Sequence, residues 1–182
     1  MIEHADLSSQ RATAATFDRV TFRSVSLAGG ELEECHLTDV RFETCDLSAL
    51  VLVGCSLMRV SFSECRVAGF AMSRGGATTL ELSQCRGEGA AFFGIEGKDW
   101  KLKDCELADA VFERCDLSDA IFERSDLTGA NFTGAAVKAT ITDTVLERIS
   151  GAGGLAGSTI DVPTLMSAAP ALAKALGMTV TA

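Results

Sequence analysis

The chain has 182 residues, a formal net charge of −9 at pH 7 and 47% hydrophobic content. One domain with a small terminal appendage fits that length, and so acidic a balance speaks against direct binding of nucleic acid, which needs a basic surface. The start, MIEHADLSSQ, has no basic leader or apolar core and no apolar run reaches membrane-spanning length, so the sequence predicts a cytoplasmic location, no membrane association and free thiols at its seven cysteines.

From Leu7 onward every fifth residue is Leu, Phe or a small apolar substitute: Phe17, Phe22, Leu27, Leu32, Leu37, Phe42, Leu47 and so on to Val137. We term these positions centres. Two residues before each lies a second register of small or apolar residues, the minor positions, which include Cys35, Cys45, Cys55, Cys65, Cys85, Cys105, Ala110, Cys115 and Ala120. A period of five fits neither the 3.6 of a helix nor the 2.0 of a strand. Charge tests the pattern. Up to Val145 there are 37 Asp, Glu, Lys and Arg residues, and none stands on a centre or a minor position. Unpaired charge is expensive to bury, so two positions in five point inward. Glu147 falls on a centre, and the repeat is therefore expected to end near residue 146. A helix cannot hold two inward positions at this spacing. A solenoid can, when each pentad forms one side of a coil and four pentads close a square.

The pentads CELAD (105–109), CDLSD (115–119), SDLTG (125–129) and ANFTG (130–134) resemble the A(D/N)LXX consensus of the pentapeptide-repeat family. The resemblance covers about residues 5–146. It implies an all-β solenoid, a right-handed quadrilateral β-helix with 20 residues per coil. Roughly seven coils at strand spacing make a rod on the order of 35 Å long. Coils of that length stack Phe22, Phe42 and Phe62 on one side and Phe92, Phe112 and Phe132 on the opposite one. They also line up Cys45, Cys65, Cys85 and Cys105 in one column, with Cys35 and Cys55 opposite. No C-x-x-C pair or His partner accompanies these cysteines, so inert buried thiols are expected rather than a metal or redox site. No cofactor is expected either.

Gln10 at a minor position and Ala12 at a centre mark an atypical first coil, frayed or capping. Residues 70–100 hold the poorest repeats: Phe70, Leu80, Ile95 and Trp100 put bulk at minor positions, Gly75 removes a side chain from one, and Ala77, Gly87 and Gly97 leave centres nearly empty. Local repacking or a partner-binding irregularity would each account for this. Phe93 lies outside both inward registers and is a candidate contact residue if exposed.

The sequence thus divides into a solenoid over 1–146 and, over 147–182, a connector, a capping or dimerisation helix and a short tail. SGAGGLAGS (150–158) is the connector. Asp161 can cap a helix whose first turn suits Pro163, and Gly177 can stop it. Leu165, Met166, Ala169, Leu172, Ala173 and Leu176 fall on one helical face, with Met178 and Val180 following in the tail. Pro170 should kink or split this helix. The segment is too apolar for a free tail, and an uncovered solenoid end is an edge that invites pairing.

A pentapeptide solenoid followed by a Pro-started apolar helix and a short tail is similar to the topoisomerase-targeting branch of the family, which holds the Qnr, MfpA and albicidin-resistance proteins. CRGEGAAF (85–92) resembles a Qnr segment. The resemblance implies a homodimer through the C-terminal helix, with Leu165, Met166, Ala169, Leu172, Ala173, Leu176, Met178 and Val180 at its interface. It also implies an acidic rod that mimics DNA toward DNA gyrase or topoisomerase IV and modulates or protects that enzyme against a poison of the quinolone type or in self-resistance. The candidate acidic residues form two sequence clusters: Glu31, Glu33, Glu34, Asp39, Glu43 and Asp46, then Asp99, Asp104, Glu106, Asp109, Glu113, Asp116, Asp119, Glu123 and Asp126. Qnr proteins interrupt their coils with projecting loops tied to quinolone protection. The unbroken phase here favours the loopless type. The alternative is a scaffold that binds an unrelated protein. Enzymatic activity is not expected, because His4 and His36 are the only histidines and every cysteine lies on an inward register.

Overall fold

The computed structural model describes residues 1–179. Its backbone is a stack of short strands, each paired in parallel with the strand one coil later. Phe22 lies opposite Phe42, Phe42 opposite Phe62, and the 20-residue step continues through Leu82 and Leu102 to Phe122. Nine strands form this first side, from Ile2–Glu3 to Thr159–Ile160, which gives a right-handed quadrilateral β-helix of about eight turns. The second side is held by single bridges that run Asp6, Ser26, Asp46, Arg66, Arg86, Glu106 and Asp126. The third runs from Arg11–Thr13 through Val51–Val53 and Ala91–Phe93 to Val111–Glu113. The fourth begins with Thr16–Asp18 and His36–Thr38, then merges with the first in the eight-residue strands Ser56–Ser63, Gly76–Ser83 and Glu96–Lys103.

The corners explain the period. Two residues after each centre the backbone adopts φ near +50°, at Asp39 (φ 54), Arg59 (φ 54) and Asp104 (φ 53) among many others. An L-residue is strained there by about 1–2 kcal/mol. The ladder overrides that penalty: the N–H groups of Asp39 and Asp104 donate to the Met58 and Glu123 carbonyls of the next coil at 3.0 Å. Because corner side chains project outward, charged residues fit.

The core is a set of columns. Phe22, Phe42 and Phe62 stack with centroids 5.0 and 5.1 Å apart. Phe92, Phe112 and Phe132 stack on the opposite side at 5.5 and 5.4 Å. Phe70 joins the two stacks, 6.0 Å from Phe62 and 5.8 Å from Phe92. All seven cysteines are free and buried. Each thiol donates to a carbonyl 23 residues earlier, as Cys45 does to Phe22 and Cys105 to Leu82, both at 3.4 Å. Burial pushes the Cys55 and Cys115 thiols up.

The irregular coils obey the same geometry with volume redistributed. The Trp100 indole N–H donates to the Ala77 carbonyl at 2.9 Å, again 23 residues back. Its ring takes the space that Gly97 leaves: a Cβ on Gly97 would lie 2.6 Å from Trp100 Nε1. Bulk has moved from a centre to the adjoining minor position.

The expected end of the repeat near 146 is corrected. One residue is missing between Val137 and Ile141, after which the solenoid goes on. Phe122 pairs with Ile141, Asp126 with Val145 and Asn131 with Ser150, each a step of 19. The positive-φ corners move to Asp143 and Arg148, and Ile141, Thr144, Leu146 and Ile149 are buried. Glu147 is therefore exposed, and the exclusion of charge from inward positions continues past it. The ladder reaches Thr159–Ile160, so the structure has more turns than the phase count predicts.

The two ends differ. At the C-terminus helix α1 (Val162–Ala175) lies across the last coil with Thr164 and Ala168 fully buried. Three of its side chains stand in for a further coil. Asp161 Oδ2 accepts from the Asp143 N–H (2.8 Å), Thr164 Oγ1 from the Thr144 N–H (3.1 Å) and Ser167 Oγ from the Leu146 N–H (3.0 Å). Asp161 also caps the helix through the Thr164 N–H. Pro170 neither ends nor splits α1, which runs 14 residues through it. Pro170 and Met166 are both exposed, so the ring and the carbonyl it leaves unbonded lie toward solvent. At the N-terminus Ala12 leaves an apolar cavity of about 130 Å³ lined by Leu7, Phe17, Phe22 and Leu27.

Thr164→Val keeps the volume but leaves the buried Thr144 N–H unpaired. A loss of about 1–3 kcal/mol is expected in chemical denaturation, with no change in far-ultraviolet circular dichroism.

Candidate partner-binding surfaces

A solenoid turns a cluster in sequence into a ring around the axis. Glu31 and Glu33 stand on the third side with Glu34 at its corner, Asp39 at the corner of the fourth, Glu43 on the first and Asp46 on the second. The second cluster divides likewise: Asp116 is on the fourth side with Asp119 at its corner, Glu123 on the first, Asp126 on the second and Glu113 on the third. The structure does not bring either sequence cluster together as a patch.

Six of the fifteen carboxylates are tied to cations. Arg59 clamps Asp39 with hydrogen bonds of 2.6 and 2.7 Å, and Arg124 clamps Asp104 with bonds of 2.7 and 3.0 Å. These hydrogen-bonded guanidinium groups hold the Asp39 and Asp104 carboxyls below the usual carboxylate range. Arg23 bridges Glu3 and Glu43 across three coils, Arg11 meets Glu31, Arg114 meets Glu113, and Arg124 also contacts Glu123. Asp46, Asp116 and Asp126 have another role. Each accepts the backbone N–H two residues on, at 3.0, 3.2 and 2.9 Å, and so closes its own turn. That contact explains an Asp at this place in the pentad without any partner. Glu33, Glu34, Asp99, Glu106, Asp109 and Asp119 have neither kind of contact among the described residues.

Two further features mark the outer surface. A groove of about 840 Å³ indents the fourth side where Gly76, Ala77 and Gly97 lack bulk, with Asp116 and Asp119 among its lining residues. On the third side Phe93 is 43% exposed. The sequence marks Phe93 by register but not the uncharged wall around it.

Helix α1 has two apolar faces rather than one. Small residues, Thr164, Ala168 and Ala173, pack on the solenoid, with Leu172 half-buried beside them. Leu165, Met166, Ala169, Leu176 and Met178 are exposed, Met166 at 69% and Leu176 at 76%. The helix lies close against the last coil, so small side chains face in and large ones face out. Ala173 is thereby withdrawn from the expected partner surface, and Val180 lies outside the described residues. Among the described residues no helix is long and apolar enough to cross a membrane, and no group of three His, Cys, Asp or Glu is placed to hold a metal ion.

Coil length, inward registers and corner geometry define a solenoid of five-residue repeats. Two family models match it, one described as pentapeptide repeat region over residues 15–92 and one as pentapeptide repeats (8 copies) over residues 102–141. The chain belongs to the pentapeptide-repeat family. Among solved structures it is similar to trypsin-treated QnrB1, a plasmid-mediated fluoroquinolone resistance protein, at 20% identity over 99% of this chain and 97% of that one, with a TM-score of 0.39. It is also similar to HetL, a pentapeptide repeat protein involved in heterocyst differentiation regulation from the cyanobacterium Nostoc sp. strain PCC 7120, at 14% identity over 88% of each chain with a TM-score of 0.38. Rfr23, a pentapeptide repeat protein from the cyanobacterium Cyanothece 51142, is similar at 15% identity over 83% of this chain and 91% of that one, with a TM-score of 0.43. No curated protein matches the chain.

The clamped carboxylates set an acid limit on stability. A pKa held below its unfolded value, about 3.9 for Asp, contributes stability that is present above that value and is lost as pH falls through the folded one. The denaturation midpoint should stay level above about pH 5 and fall below about pH 4. Arg59→Gln releases Asp39, so its midpoint should fall less steeply over the same titration.

Proposed function

We propose that this protein is a partial mimic of B-form DNA that binds a type II topoisomerase, DNA gyrase or topoisomerase IV, as a homodimer, and modulates the enzyme or protects it against a poison. The observation that carries this reading is a rod with carboxylates free of ion pairs on its outer wall. Eight coil steps at strand spacing extend about 38 Å. Duplex DNA of that length carries roughly 22 phosphate charges, against a net −9 here. The mimicry is therefore partial, and a basic cleft that normally holds DNA is the fitting partner.

The outer face of α1 supports the dimer. Two copies joined there would cover Leu165, Met166 and Leu176 and double the length of the acidic rod. The sequence likeness of residues 85–92 and of the tail to the topoisomerase-targeting branch supports the same assignment. The 20-residue step from Phe22 to Phe122 leaves no place for a projecting loop. That favours direct modulation of the enzyme over loop-dependent protection from quinolones.

A supercoiling assay tests the reading. Micromolar protein is expected to inhibit DNA gyrase or to reduce drug-induced cleavage; no effect in either assay overturns it and leaves the scaffold reading. For the dimer, light scattering should give twice the chain mass for wild type and the single mass for Met166→Glu. A wild-type particle of single-chain mass removes the dimer.

A further inference from the structure

The outer wall of the third side loses its charge over three successive coils. The residues there are Val51, Val53, Ala71, Ala91 and Phe93, with Ser73 the one polar member; Val111 extends the apolar strip into the next coil, where Glu113 restores the charge. Over the same coils the other sides carry Glu81, Lys101 and Lys103, or Arg66, Arg86 and Glu106, or Glu96 and Lys98. The fold does not require apolar residues on this wall. Val53 pairs with Glu33 in one direction and Phe93 with Glu113 in the other, so charge is accepted in the same column. Nor does a polyanion mimic require them, since a phosphate backbone has no apolar counterpart.

We propose that this wall is an apolar anchor for the protein partner, seated against a hydrophobic element that basic groups flank. The proposal rests on the topoisomerase reading above. Area and charge argue for that occupant. The patch spans about 14 Å along the axis and about 10 Å across, on the order of 150 Å², far below the roughly 800 Å² per partner of a stable interface. It acts as the apolar centre of a larger contact, and the larger contact is acidic. Glu33 and Glu34 adjoin one end of it and make no ion pair among the described residues. Arg74 and Arg114 occupy its corner with the fourth side, where Arg114 is paired with Glu113. A second copy of the chain is a poorer occupant: pairing two such patches face to face and antiparallel sets Asn131 and Thr133, not a cation, opposite Glu33.

Affinity for purified DNA gyrase, measured by biolayer interferometry, tests the anchor. Phe93→Ser should weaken binding at least about tenfold, and Phe93→Leu should stay within about threefold of wild type. Ile121→Ser, on the first side, should bind as wild type does. Unchanged binding by Phe93→Ser overturns the anchor while leaving the topoisomerase reading intact. A change in the protein's own solution mass on Phe93→Ser reassigns the patch to self-association and overturns the proposal. Wild type that binds neither gyrase nor topoisomerase IV removes the topoisomerase reading, and with it the partner assigned to this wall.

Discussion

Every coil is closed by backbone hydrogen bonds to the coil before and the coil after. A buried N–H or C=O without a partner is costly, so the ladder tolerates only chain lengths that return each residue to register. Twenty residues do so, and the rest follows. Corners must turn by about a right angle within one residue, which the left-handed conformation supplies even where Asp, Arg or Thr occupies it. Centres and minor positions must face the axis, which excludes charge from them. Outward positions meet no such demand, and their composition is free to serve recognition.

The ladder also creates two edges. At the C-terminus the edge is satisfied by side-chain oxygens spaced three residues apart on α1, Asp161, Thr164 and Ser167, which meet the N–H groups of Asp143, Thr144 and Leu146. A helix cannot pair with a strand through its own backbone, so side chains do it. The same helix holds its large apolar residues away from the solenoid. Capping and presentation are thus opposite faces of one element.

The radial pattern was legible in the sequence, because burial of charge is a strong constraint and repeats many times. The phenylalanine stacks and thiol columns followed from coil length alone. The one-residue deletion between Val137 and Ile141 was not legible by fixed-phase counting, since Glu147 then falls on an apparent centre. The shift of positive φ to Asp143 and Arg148 reveals it. The candidate surface was legible least. Periodicity separates inward from outward but says nothing of which outward residues become neighbours 20 positions apart. Acidic runs therefore looked like patches, whereas Arg59 beside Asp39 and Arg124 beside Asp104 neutralise part of them. Conversely, Val53 and Phe93 are 40 residues apart in sequence and two coils apart on one wall.

The open N-terminal coil gives the rod a direction. Ala12 supplies little at its centre, and Leu7 and Phe17 line a cavity instead of packing on a preceding coil. In a stack where each coil contacts only its neighbours, loss of structure propagates from whichever end is least anchored. The helix-sealed end is held by packing and by hydrogen bonds donated to α1, and the opposite end by the ladder and exposed contacts such as Arg23–Glu3 and Arg11–Glu31, which contribute little. Unravelling is therefore expected to start in the N-terminal coils, where a protease or unfoldase meets no helix seal, whereas one that engages at α1 must first break it.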